Sequence, residues 1–460
     1  MEALSFEYSN IRKKKFIFLF VSLEILIIAS IFLLPYKSML ILFAVLTFLV
    51  LNFLDVRIGL WLMIAYSTRI IYFHGLVSAI MMVVLGSISV LVCLSVYFKS
   101  CLGQFKIQKT SLNLPVAVFL GMVLFQTLRG FLGSYPAKWI GTEFLAYLGF
   151  GILFLVTSLC HNKEMIKKFF QFLIVVAYYH AITGLWEYFR VGHRIGGYLF
   201  GTFPSLIALV LLNLSLYSAE KSKKLIYLLI SLPLVLHLLL SFTRGYWLGF
   251  IVALLFSYGI YIINSAYSFS EKVFKSLKGV VVSAIIIIAS LIGFQQFLST
   301  HSFIGQLSRR FSSSFSTKAS IETMSNVARL VEYEPSWDKI KEKPIFGYGV
   351  GYTLPITNPV RHRRTEEWAI HQFYLMITLK MGLLGLLVFL WMYYVFFKEG
   401  LKGSKNIEDS YYKGLSYGFI ANSIEQLLIS FTNHPFATVD NNFYLAFTMA
   451  GVMVIISRRS

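Results

Sequence analysis

Charge is what this chain has least of. Asp, Glu, Lys and Arg make up 13% of its 460 residues, about half their usual share, while hydrophobic residues make up 57% and the mean hydropathy is +0.72. A soluble domain is excluded, because too few polar side chains are left to cover its surface. Cysteine is nearly absent. Cys93, Cys101 and Cys160 have no metal-type spacing, so neither a disulfide framework nor a zinc site is encoded. Segments of about ten residues with alternating polarity are missing too, which excludes a transmembrane β-barrel. No internal repeat, low-complexity tract or separate soluble domain interrupts the chain. Acidic residues, 21 against 41 Lys and Arg, leave a net charge of +20. In a soluble protein that excess points to nucleic acid. Here most of it is a topology signal, and no nucleic-acid partner is expected.

What is present is apolar sequence in runs of about 17 to 25 residues, the length of helices that cross a hydrocarbon core of about 30 Å. The pattern predicts an all-α fold: a polytopic transmembrane bundle of about 12 to 14 helices. Spans are expected near 16–34, 39–54, 58–73, 76–97, 112–128, 141–159, 167–187, 200–218, 225–241, 246–265 and 279–297, all within 1–297. Three more, near 371–397, 414–430 and 441–457, fall within 371–460. The first run follows Arg12, Lys13, Lys14 and Lys15 and lacks a small-x-small cleavage site, so it reads as an uncleaved span. With the N-terminus inside, cytoplasmic segments collect the Lys-rich stretches at 99–109, 163–168, 220–224, 272–278 and 398–413 and the pair Arg458 and Arg459. Both termini are then cytoplasmic. The long loop over 298–370 is extracytoplasmic.

Within that loop, apolar spacing at Met324, Val327, Val331, Trp337 and Ile340 predicts short amphipathic helices along the membrane surface, with a break at Pro335. A polar, basic stretch, GYGVGYTLPITNPVRHRRTEEWAI, then leads into an apolar helix opening with His371. An imidazole held at the water edge of a bilayer beside Arg361, Arg363 and Arg364 suits chemistry on a phosphate-bearing lipid. Contact with lipid headgroups is the plainer role for those arginines. Arg194, followed by a glycine-containing turn, and Arg244, which interrupts an apolar sequence in SFTRGYWLGF, offer planar forks of donors to phosphate oxygens. Each also suits simple interfacial anchoring, as do Trp139, Glu143 and Tyr147 near another outer end. No convergent carboxylate pair suggests Mg²⁺ or Mn²⁺, and no metal or other cofactor is expected.

Four segments in order resemble the O-antigen ligase and polymerase superfamily: GTFPSLIAL, SFTRGYWLGF, SNVARLVEYEPSWDKIKEKPIFGYGVGY and IHQFYLMITLKMGLLGLL, together covering roughly 190–395. Gln372 stands where that family usually has asparagine, Lys380 where an acidic residue is common, and Pro204-Ser205 where asparagine-proline-asparagine is common. The resemblance implies a multi-pass enzyme of the bacterial inner (plasma) membrane that moves a glycan from undecaprenyl diphosphate to an acceptor hydroxyl, without metal or nucleotide. It assigns His371 as the base, Arg194 and Arg244 as diphosphate binders, and Arg329 as a loop arginine in a supporting role. The partners it implies are the lipid-linked donor, a lipid A core or glycan acceptor, and membrane lipids. The long loop and the histidine-led helix favour an O-antigen ligase over a repeat-unit polymerase, and a protein O-oligosaccharyltransferase shares the same donor. A lipid-linked glycan flippase, from a different class, would place its cations in a central cavity between two similar halves, and no such halves are evident.

Overall fold

The structure, a computed structural model, describes residues 55–67, 76–103, 105–160, 162–191, 203–241, 243–264, 270–271, 321–358 and 363–457. The spans expected near 16–34, 39–54 and 279–297 lie outside these residues, as do Arg194 and Arg361. The elements in chain order are α1 (Val56–Ser67), α2 (Leu76–Cys101), α3 (Asn113–Leu132), α4 (Ala137–Leu148), α5 (Ile152–Leu159), α6 (Lys163–Val191), α7 (Phe203–Tyr217), α8 (Lys221–Leu240) and α9 (Arg244–Asn264). They continue with α10 (Ile321–Glu342), β1 (Leu354–Asn358), β2 (Arg363–Glu367), α11 (Phe373–Lys405), α12 (Ser410–Ile429) and α13 (Val439–Ser457). Among the described residues, eight helical segments are long and apolar enough to cross a bilayer, with α4 and α5 counting as one. The chain is an α-helical, multi-pass membrane protein.

One compact unit takes in the described residues up to Met63 together with Ser87–Phe105, and a second takes in those of Ile64–Gly86 and Lys106–Ser460. The candidate site lies wholly in the second. There α13 is buried along its length, packed by α4, α5, α6, α11 and α12, while α7 sits between α8 and α12. Leu248, Ile251 and Leu255 on α9 and Leu225, Ile226 and Leu229 on α8 face outward. Such exposed apolar stripes suit lipid contact.

Three local features differ from the sequence expectations. His371 does not open its helix. α11 begins at Phe373, with Gln372 as N-cap accepting from the amide of Leu375. Nor does Pro335 break α10, because Val331 before it and Ile340 after it pack on one core with Leu354, Ile356, Ile370 and Leu379, and those contacts hold the helix across the lost backbone bond. The loop also holds an antiparallel hairpin, pairing Leu354 with Glu367 through Asn358 with Arg363. Proline, asparagine and four charged residues hide these strands from propensity, although the alternation Leu354, Ile356 marks the core-facing side.

α11 is itself two helices joined at Gly382, whose φ of 71° and ψ of −176° end the regular hydrogen bonding. The freed groups are met by the segment Pro344–Gly349. Leu383 and Leu384 donate to the carbonyls of Pro344 and Ile345 (2.8 and 3.3 Å), while Tyr348 and Gly349 donate to those of Leu379 and Lys380 (2.9 and 2.8 Å). A Cβ at Gly382 would strike the Ile345 carbonyl, so only glycine permits this approach. From the other side α3 grips the same segment: Gln126 Nε2 and Arg129 Nη1 donate to the Phe346 carbonyl (2.9 and 2.7 Å) and Arg129 Nη2 to that of Gly347 (3.0 Å). The glycine-rich segment is therefore a wedge between α3 and α11.

Candidate functional site

The wedge and the hairpin carry the chain to His371, which one carboxylate holds in place. Glu332 on α10 accepts the backbone N–H of His371 with Oε2 and bonds ring Nδ1 with Oε1, both at 2.8 Å. The Glu332 side chain is 8% exposed and that of His371 43%, so a buried anion orients a ring that faces open space. A carboxylate on Nδ1 selects the tautomer whose Nε2 is the free acceptor and stabilises the imidazolium once that nitrogen gains a proton. Sequence reasoning missed Glu332. It lies one helical turn after Arg329, but nothing in a linear reading joins it to a residue 39 positions on.

A second imidazole backs the first. His434, in the turn between α12 and α13, meets the His371 ring edge to face with centroids 5.5 Å apart. Burial, reinforced by the charges of Lys380 and Arg329 and by repulsion from the protonated form of His371, pushes the His434 pKa down to about 3, so this ring stays neutral. Arg329, half-buried on α10, is thus close enough for its charge to act at the site. Arg244 is tied to this region through its neighbour in the chain. It opens α9, and the next residue, Gly245, abuts Thr432 and Asn433 so closely that a Cβ would strike the Thr432 hydroxyl. That same turn caps α11, since Phe373 donates to the carbonyls of Ser430 and Asn433 (3.0 and 3.1 Å). The starts of α9 and α11 are thereby pinned to one turn, which carries His434. Arg363 and Arg364 open β2, paired with Asn358 and Thr357. Ser205 of the GTFPSLIAL segment donates to buried Glu425 at 2.9 Å.

Beneath the site lies an ion pair that sequence reading saw only as two separate residues. Lys380 of α11 and Glu143 of α4 are 1% and 0% exposed and bonded to each other. Lys380 also donates to the Trp368 carbonyl (2.5 Å), and Glu143 accepts the Gly351 amide (3.2 Å). The pair therefore ties the wedge and the approach to His371 to two helices. A lysine inside an apolar helix was the available signal, because such a cation demands a partner. Among the described residues no cluster of three or more His, Cys, Asp or Glu side chains is placed to hold a metal ion.

Residues 226–390 match the family model of the O-antigen ligase domain, a stretch that runs from α8 through His371 to the middle of α11. The match supports the resemblance to the O-antigen ligase and polymerase superfamily. A comparison with curated proteins finds no match. The family whose model matches is one of glycan-transferring membrane enzymes. Arg244, Arg329, Glu332 and His371 fall within the matched stretch, whereas Glu143, Arg194 and His434 fall outside it.

Proposed function

We propose that this O-antigen ligase-domain protein transfers a glycan from undecaprenyl diphosphate to an acceptor hydroxyl, with His371 as general base. The observation that carries the reading is the grip of Glu332 on both the backbone amide and Nδ1 of His371, which leaves Nε2 for a substrate. In the reaction, Nε2 takes the acceptor hydroxyl proton as the oxygen attacks the anomeric carbon. The bond from that carbon to the diphosphate breaks, and the electron pair leaves with undecaprenyl diphosphate. Negative charge grows on the leaving group, so fixed guanidinium groups lower the barrier most if they meet it there. Arg244 and Arg194 are assigned that role, with Arg329, Arg361, Arg363 and Arg364 supporting it. Glu332 is a positioning residue that also offsets the charge of the imidazolium. No metal step is required in this scheme.

We assign the acceptor as lipid A core, making the enzyme a ligase of the inner membrane with both termini cytoplasmic and residues 298–370 outside. Deleting the gene and examining the glycan tests this. Long chains left on the lipid carrier fit a lost ligase, single repeat units on a surface acceptor indicate a polymerase, and an unchanged glycan overturns the transferase reading.

A further inference from the structure

Beside His371 lies a run of aromatic rings that the chemistry of transfer does not use. Trp368, three residues before His371, has its ring centroid 6.3 Å from that of His434 and stacks nearly parallel on Trp139, 4.9 Å away and tilted by only 8°. Trp139 stands at the start of α4. On the turn just before it, Tyr135 meets Tyr352 edge to face at 5.5 Å, and Tyr352 stacks on Tyr348 at 4.4 Å. All five rings are half-buried. Tyr348, Tyr352 and Trp368 rest on the core formed by α10, the hairpin and α11.

An interfacial belt would space such residues singly around the bundle at one depth. Here they come from three separate stretches of chain, stack on one another and lead to the candidate base. Exposed lysines lie over two of these rings. Lys138 Nζ lies 4.4 Å from the Trp139 ring centroid and Lys343 Nζ 4.5 Å from that of Tyr348, and both lysines are exposed. At the rim are exposed Glu342 and Glu366, with the Thr353 hydroxyl donating to Glu366. Flat apolar faces ringed by carboxylates, ammonium groups and hydroxyls match a pyranose, which has one C–H face and a girdle of hydroxyls.

We propose that the Trp139–Trp368 stack and the adjoining Tyr352 form the docking platform for the sugar rings of the acceptor glycan, and so deliver its hydroxyl to His371. This rests on the transferase reading above. Gly245, next to Arg244, abuts the Thr432–Asn433 turn, whereas the platform meets His434 through Trp368.

The test uses the full chain in nanodiscs and, as probe, the delipidated surface glycan of the source strain. Hydroxyl-radical footprinting of the wild-type protein should show Trp139, Trp368 and Tyr352 protected as the saccharide is added, while Trp337, on exposed α10 surface, is not. Trp139→Leu should weaken saccharide binding about tenfold and raise the acceptor KM by a similar factor, whereas Trp139→Phe should retain most of the affinity. Unchanged footprints, or Trp139→Leu binding like wild type, would overturn the proposal. Binding is read without turnover. A chain that protects these rings yet transfers no glycan overturns the transferase reading alone, and one that transfers glycan through His371 without protecting them overturns the platform alone.

Discussion

Lys380→Met removes one half of a fully buried ion pair, and its cost follows from what is left behind. Glu143 keeps a single bond, from the Gly351 amide, and the Trp368 carbonyl loses its donor. Breaking a buried pair on one side costs about 3–5 kcal/mol, because the remaining charge is uncompensated. Glu143→Leu should cost a similar amount, with the Gly351 amide orphaned as well. In the double variant no charge remains, and the residual penalty is that of two backbone groups, about 1–3 kcal/mol each. The double variant should therefore be less destabilised than the two singles added together, by about 2 kcal/mol or more. Reversible unfolding of the purified protein in mixed micelles measures all four states. Additive single effects, or Lys380→Met as stable as wild type, would refute the claim that this pair ties α4 to α11.

Glu332→Gln should lower turnover by about 10²-fold or more while leaving the fold intact, since the amide can still meet the His371 backbone but no longer balances an imidazolium; steady-state transfer on monodisperse protein checks it. Gly382→Ala and Gly130→Ala should each destabilise the protein by about 2 kcal/mol or more, because their Cβ atoms would strike the carbonyls of Ile345 and Val350, whereas Gly121→Ala, with open space around it, should be neutral or slightly stabilising. For topology, single cysteines at the exposed positions Lys341 and Glu408, in a background with Cys93 and Cys101 changed to serine, should label from outside and inside respectively, and reversed labelling would put the site on the wrong face.

The bundle was legible because lipid leaves a chain few choices: apolar length gives the spans and helix is the only open form that satisfies their backbone. The family resemblance was legible as well. Glu332 was not, since its partner is 39 residues away, and neither was His434, which carries no pattern of its own. Lys380 and Glu143 were each visible as charges in apolar surroundings, but pairing them required knowing that α4 and α11 share the wedge. The hairpin escaped because tertiary packing of Leu354 and Ile356 outweighs the poor strand propensity of its neighbours. Pro335 misled for the same reason, as packing on both sides of it keeps α10 whole.

The central claim is that His371 takes the acceptor proton while arginine holds the diphosphate, and one experiment separates the two roles. Donor binding and turnover at saturating donor are measured side by side for wild type, His371→Ala and Arg244→Lys. The account predicts that His371→Ala loses on the order of a hundredfold or more in turnover with donor affinity largely intact. Arg244→Lys should weaken donor binding and slow turnover together, because an ammonium cannot replace a planar fork. A His371→Ala enzyme that binds donor poorly yet turns over normally at saturation would contradict it.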